Sequence, residues 1–138
     1  MKMKWLNTVF TPDFRLIKFK QWFAVGCLLL MAIIYLSFSS STAVPMTGNL
    51  DKLYHALAYY FLMLWWLQLF PKTLARSMLA LLFIIMSGGI EFLQSFHPLR
   101  YMDWWDLAAN SAGIVAAVLL GFTGLDQLLY KFERRIWQ

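Results

Sequence analysis

Ser77–Phe96 reads SMLALLFIIMSGGIEFLQSF, and its reading decides the fold class. A helix needs about 20 residues to cross the hydrocarbon core of a bilayer, with about 17 as the lower bound. This stretch has that length and one charged residue, Glu91. Three more runs of the same kind flank it. Trp22–Phe38 carries no charge, Leu53–Phe70 only His55 as a candidate charge, and Trp104–Phe122 only Asp106. The whole chain is 61% hydrophobic and 14% charged, against about 25% charged in an average soluble domain. The expected fold is therefore all-α: a polytopic membrane protein, a bundle of four transmembrane helices in one compact unit of 138 residues.

The net charge of +5 does not indicate nucleic-acid binding, because the basic residues sit in short flanks beside apolar runs, where they set topology. Lys2, Lys4, Arg15, Lys18 and Lys20 precede the first run, Lys72 and Arg76 lie between the second and third, and Lys131, Arg134 and Arg135 follow the fourth. Only Lys52 and Arg100 fall on the other side. An excess of Lys and Arg marks the cytoplasmic side, so both termini are expected inside. The first run also has features of a signal peptide: a basic leader, and small residues at Ser41 and Ala43. Its length and long leader favour an uncleaved helix. The single cysteine, Cys27, is expected to pack within that helix.

Between the runs, Ser39–Asn49 has turn and breaker residues, and Asn49 or Asp51 is placed to cap the second helix. Pro71 ends that helix, and the short connection after it makes an antiparallel hairpin with the third. His97-Pro98-Leu99 is expected to form a tight turn, with His97 in an exposed loop, and Gly121 and Gly124 end the fourth helix. After Pro12 the N-terminal segment reads either as an amphipathic surface helix or as a frayed basic tail. In the C-terminal tail Leu128, Leu129, Phe132 and Ile136 are spaced for a short interfacial helix. Trp65, Trp66, Trp104 and Trp105 fit interfacial belts.

The polar residues that interrupt the apolar runs share one rim. Asp51, His55 and Tyr59 are each four apart and line one helical face, with Lys52 beside His55. Glu91 and Gln94 share a face of the third helix, with Ser95 one turn from Glu91. Asp103, Asp106, Asn110 and Gly113 form a stripe on the fourth. At ~1.5 Å rise per residue, Glu91 lies about 7 Å from its helix end, His55 about 6 Å past Asp51 and Asn110 about 10 Å past Asp103. Matching depths describe a polar pocket open to the outside. Ala109, Gly113, Ala117 and Gly121, with Ala108, Ala112 and Ala116 beside them, allow close helix approach, and Gly88 and Gly89 are expected to do the same below Glu91.

Three chemistries fit these residue types. His55 with Glu91 and Asp106 has the makings of general acid–base catalysis, with Asp51, Asp106 or Glu91 orienting the imidazole. Asp51 and Asp103, with His55, Glu91 and Asp106, are candidate ligands for a divalent cation such as Mg²⁺, Mn²⁺ or Zn²⁺. Lys52 and Arg100, with Gln94, Asn110 and Tyr59 lining the pocket, are candidates for holding an anionic head group. No HExxH spacing, Gly-rich phosphate loop or nucleophile elbow occurs. Against all three stands a plainer reading, in which the polar groups only hydrogen-bond helices together.

Asp51-Lys52-x-x-His55-x-x-x-Tyr59 resembles the opening motif of the VanZ-like family. So does the block Glu91-x-x-Gln94-x-x-x-Pro98-x-Arg100-x-x-Asp103-x-x-Asp106-x-x-x-Asn110-x-x-Gly113. The similarity covers residues 50–122, a three-helix core, leaving a basic segment at 1–21, a helix at 22–38 and a tail at 123–138. It implies a small multi-helix protein of the bacterial cytoplasmic membrane, in a family named from glycopeptide (teicoplanin) resistance, and brings no established reaction with it. The expected partners are the bilayer and an anionic lipid-linked or glycopeptide ligand held at the outer surface by Lys52 and Arg100.

Overall fold

The computed structural model describes residues 9–39, 49–96 and 102–137. Among them the chain is all-helical. The helices are α1 (Phe19–Phe38), α2 (Asn49–Leu69), α3 (Thr73–Gln94) and α4 (Trp104–Gly121), followed by a 3₁₀ turn at Leu125–Gln127 and α5 (Leu128–Trp137). The boundaries fall within a few residues of the apolar runs. Three of the helices, α1, α3 and α4, are long and apolar enough to cross a membrane, as in a membrane protein. Their outward sides carry large apolar residues such as Leu28, Met31, Leu81, Ile85, Val115 and Leu119.

α2 matches α1, α3 and α4 in length but is richer in polar and aromatic residues, because it lies at the centre. Tyr59, Leu62, Met63, Trp66, Leu67 and Leu69 are all buried. The 70–72 connection makes α2 and α3 sequential neighbours, as Pro71 foretells, yet the main partner of α2 is α4. The two run parallel, with Lys52 beside Asp106, His55 beside Asn110, Ala56 beside Gly113 and Leu67 beside Gly121. Gly113 is the reason they come so near. A Cβ there would sit 2.0 Å from the carbonyl oxygen of Ala56. Gly121 plays a lesser part, its absent Cβ leaving room for Leu67. Gly89 differs from expectation: a Cβ there would meet nothing within 4 Å, so it makes no close contact.

Other expectations are corrected by hydrogen bonding. Asn49 and Asp51 both lie inside α2, Asp51 in its first turn. A side-chain cap is seen instead on α4, where the Asp103 carboxylate accepts from Trp105 N at 2.8 Å. Residues 13–18 form neither an amphipathic helix nor a frayed tail. They make turns, because the N–H groups of Ile17 and Lys18 donate to the Glu133 carboxylate instead of continuing a helix. Trp66 is a core residue, stacked on Phe70 and edge-on to Phe23 and Phe83. Trp104 and Trp105 are exposed. Cys27 packs partly buried against the core. Gly124 takes φ 94°, a left-handed turn that lets the chain reverse into α5. The signal-peptide positions Ser41 and Ala43, and the turn at His97-Pro98-Leu99, lie outside the described residues.

Candidate functional site

The N-terminal ends of α2 and α4 and the C-terminal end of α3 meet at one rim, and there the predicted polar residues converge. Asp51, His55, Glu91, Gln94, Met102, Asp103 and Asp106 line an open cavity of about 480 Å³. Lys52, from the first turn of α2, bridges to α4: its ammonium donates to Asp103 and to Asp106, and lies 3.6 Å from Asp51. These contacts hold the Asp103 carboxyl below the usual carboxylate range, the Lys52 hydrogen bond first and the Trp105 backbone donor second.

Lys52 therefore differs from the free cation expected for an anionic head group. An anion meeting it must displace two carboxylates already in place. Arg100, the other basic candidate, lies outside the described residues.

His55 sits one turn deeper. Its Nδ1 is 3.2 Å from Asn110 Oδ1, and the Asn110 amide donates to Ser87 Oγ at 2.7 Å. With the Asn110 oxygen facing it, Nδ1 is placed to donate in the tautomer that carries the ring proton there. Nε2 is left facing the carboxylates, 3.6 Å from Asp106 Oδ2 and 3.9 Å from Asp51 Oδ1. A ring so oriented presents a proton acceptor to the cavity, the geometry a general base needs. It is equally the geometry of a metal-binding imidazole whose second nitrogen is held by a neighbour. Asp51, His55 and Asp106 each offer a ligand atom within 4.8 Å of the others, a group able to hold a divalent cation. Two expected ligands stay outside that trio. Asp103 is turned to Lys52 and to its cap, and Glu91 faces the cavity from α3.

Glu91 is 3% exposed, and among the described residues its carboxylate receives only a long 3.4 Å bond from the Asp103 backbone. Gln94 donates to Ser37 O at 2.5 Å, tying α3 to the end of α1. Tyr59 is buried below His55. Ser95 bonds back to Phe92 O in its own helix and takes no part.

Sequence reasoning overlooked Ser87, the buried partner of Asn110. The signal was available, since Ser87 lies four residues before Glu91 and hence on its face. It also overlooked what adjoins the polar cavity. Ile33, Leu36 and Ser37 of α1, with Tyr54, Ala58 and Tyr59 of α2, line a more apolar groove of about 260 Å³. Asp51, His55 and Gln94 border both spaces, so the polar cavity opens onto the groove.

No family model matches the chain, and no solved structure matches it. An uncharacterized protein of Schizosaccharomyces pombe is 33% identical over 104 residues, 73% of this chain and 62% of the relative. The chain thus spans about three-fifths of that relative's length.

Proposed function

We propose that this is a VanZ-like membrane protein that binds, or modifies, an amphiphilic lipid-linked or envelope-related molecule at the rim of its helix bundle. One observation carries this reading: the polar cavity and the apolar groove share Asp51, His55 and Gln94, so a single ligand can lay its head in one and a chain in the other. Ligand sites commonly combine an apolar lining with a few placed polar groups. In the catalytic version His55 Nε2 takes or returns a proton, and Glu91 and Asp106 flank the reacting group. A divalent cation at Asp51, His55 and Asp106 would polarise it.

The reading includes topology. α2 serves as the fourth span: it has the length, lies parallel to α4 and is sheltered by its neighbours. Ten of the twelve Lys and Arg residues then face the cytoplasm, and the rim faces outward. The compartment that follows from the family resemblance is the bacterial cytoplasmic membrane. Glycopeptide tolerance would be a consequence of ligand handling at that surface.

The test is native mass spectrometry of the detergent-purified chain released from membranes. A retained amphiphile is expected, and Ala58→Trp, which fills the groove from an exposed position, should abolish retention while the protein stays folded. Retention unaffected by Ala58→Trp would sink the proposal.

A second reading rests on its own observation. Lys52–Asp103, Lys52–Asp106, His55–Asn110 and Asn110–Ser87 together stitch α2, α3 and α4, as a non-catalytic scaffold would need. A His55→Phe, Glu91→Leu double variant separates the two, because a scaffold keeps its assembly when packing is preserved.

A further inference from the structure

The charge at this rim points to the kind of head group it accepts. Four carboxylates, Asp51, Glu91, Asp103 and Asp106, line the cavity, and Lys52 is the one cation bonded to them among the described residues. Lys52 also divides the cavity. Its ammonium occupies Asp103 and one oxygen of Asp106, showing that a primary ammonium fits between carboxylates here. The remaining half consists of Glu91, the other Asp106 oxygen and Asp51, which the Lys52 ammonium approaches only to 3.6 Å, with His55 Nε2 facing Asp51 and Asp106. Glu91 is the telling member. It is more than nine-tenths buried, it faces the cavity, and no side chain among the described residues bonds its carboxylate. A buried carboxylate with one long backbone hydrogen bond and no charged partner among the described residues is costly unless something else supplies one.

We infer that the unfilled half of the cavity takes the primary ammonium group of an amine-bearing membrane lipid, whose acyl chain follows the groove between α1 and α2. This rests on the amphiphile reading above and narrows it. The occupant follows from charge complementarity. The acidic half matches an ammonium, and the apolar groove beginning at Asp51, His55 and Gln94 matches a hydrocarbon tail. An anionic head group would face Asp51, Glu91 and Asp106 with no unengaged Lys among the described residues. Gln94, whose amide nitrogen is committed to Ser37, offers its carbonyl oxygen as a further acceptor.

The experiment measures binding of three lipids to the delipidated full chain by native mass spectrometry: dioleoylphosphatidylethanolamine, its N-acetylated derivative, and dioleoylphosphatidylglycerol. All share the phosphate and the chains, and only the first carries a free amine. The amine lipid should bind about tenfold more tightly or better than the other two, as expected when charge-assisted bonds are lost. An Asp51→Asn, Glu91→Gln variant should erase that preference while still binding the chains. Equal binding of all three lipids, or a preference that survives in the variant, overturns the ammonium assignment and leaves the amphiphile reading standing. Binding of none overturns both. The N-acetylated lipid keeps the test decisive even if the variant fails to fold.

Discussion

Where α1 begins and α5 docks, Glu133 is 1% exposed and accepts from Ile17 N at 2.6 Å, Lys18 N at 2.9 Å and Trp22 Nε1 at 2.7 Å. Nearby, Arg76 donates to Phe70 O and Leu67 O and pairs with Asp126, while Gln68 bonds Leu64 O and receives Leu129 N. Asp13 is held by the side chain and backbone of Arg15. Every one of these charges has its partner. At the opposite end, Lys52 is shared between Asp103 and Asp106 and only approaches Asp51 at 3.6 Å, while Glu91 faces an open cavity with a single long backbone bond among the described residues. Both ends bury polar groups, so burial alone does not identify function. The difference lies in saturation. A network whose bonds close on themselves fastens the N-terminal segment and α5 to the bundle, and one with carboxylates in excess has room for a ligand.

The largest effect is expected at the seam both ends depend on. Gly113→Ala places a methyl group against the Ala56 carbonyl, forcing α2 from α4 at a cost of about 3 kcal/mol, and folded protein should be largely lost in size-exclusion chromatography. Next comes the saturated end. Glu133→Gln removes the charge shared by three donors and should destabilise by about 2 kcal/mol, read as a drop in melting temperature in detergent.

Acid should act more gently and on both ends. Burial pushes the Asp13 carboxyl up, but the Arg15 hydrogen bonds outweigh it and hold the group below the usual carboxylate range. Asp103 is lowered mainly by Lys52. A carboxyl whose pKa is lower folded than unfolded stabilises fully above the unfolded value, about 3.9, and loses that contribution as pH falls through the folded value. Thermal stability should stay flat from neutral to about pH 5 on this ground and decline below about pH 4. In Asp13→Asn and Asp103→Asn the decline should be shallower. Least affected should be Gly89→Ala, where the new methyl group meets open space. Its melting temperature should match the wild type or exceed it slightly, since Ala favours a helix over Gly.

Hydropathy made the helices legible. Trp22–Phe38, Ser77–Phe96 and Trp104–Phe122 each lie within a few residues of an observed helix, because a long apolar run has few other stable forms. The leucine spacing in the tail likewise announced α5. Helical spacing also brought most of the rim into view, since residues three and four apart share a face whatever the helix packs against. Partner choice was not legible. Lys52 could be seen beside His55 but not between Asp103 and Asp106, because the parallel register of α2 and α4 depends on Gly113 meeting Ala56. The saturated end was nearly invisible, since Ile17 and Lys18 meet Glu133 across more than a hundred residues and no local pattern marks a bond between them. Polar residues had been expected at one rim only. The buried Gln68, Arg76 and Glu133 show that the other end has them too.

The most direct measurement is the melting temperature of delipidated protein in detergent for three chains: wild type, Glu91→Gln and Glu133→Gln. A rim reserved for a ligand predicts that Glu91→Gln melts at or above the wild type, because neutralising a buried carboxylate that has one long backbone bond and no ion pair among the described residues relieves a cost, while Glu133→Gln melts well below it. If Glu91→Gln falls as far as Glu133→Gln, the two ends do the same structural job, and the ligand site is contradicted.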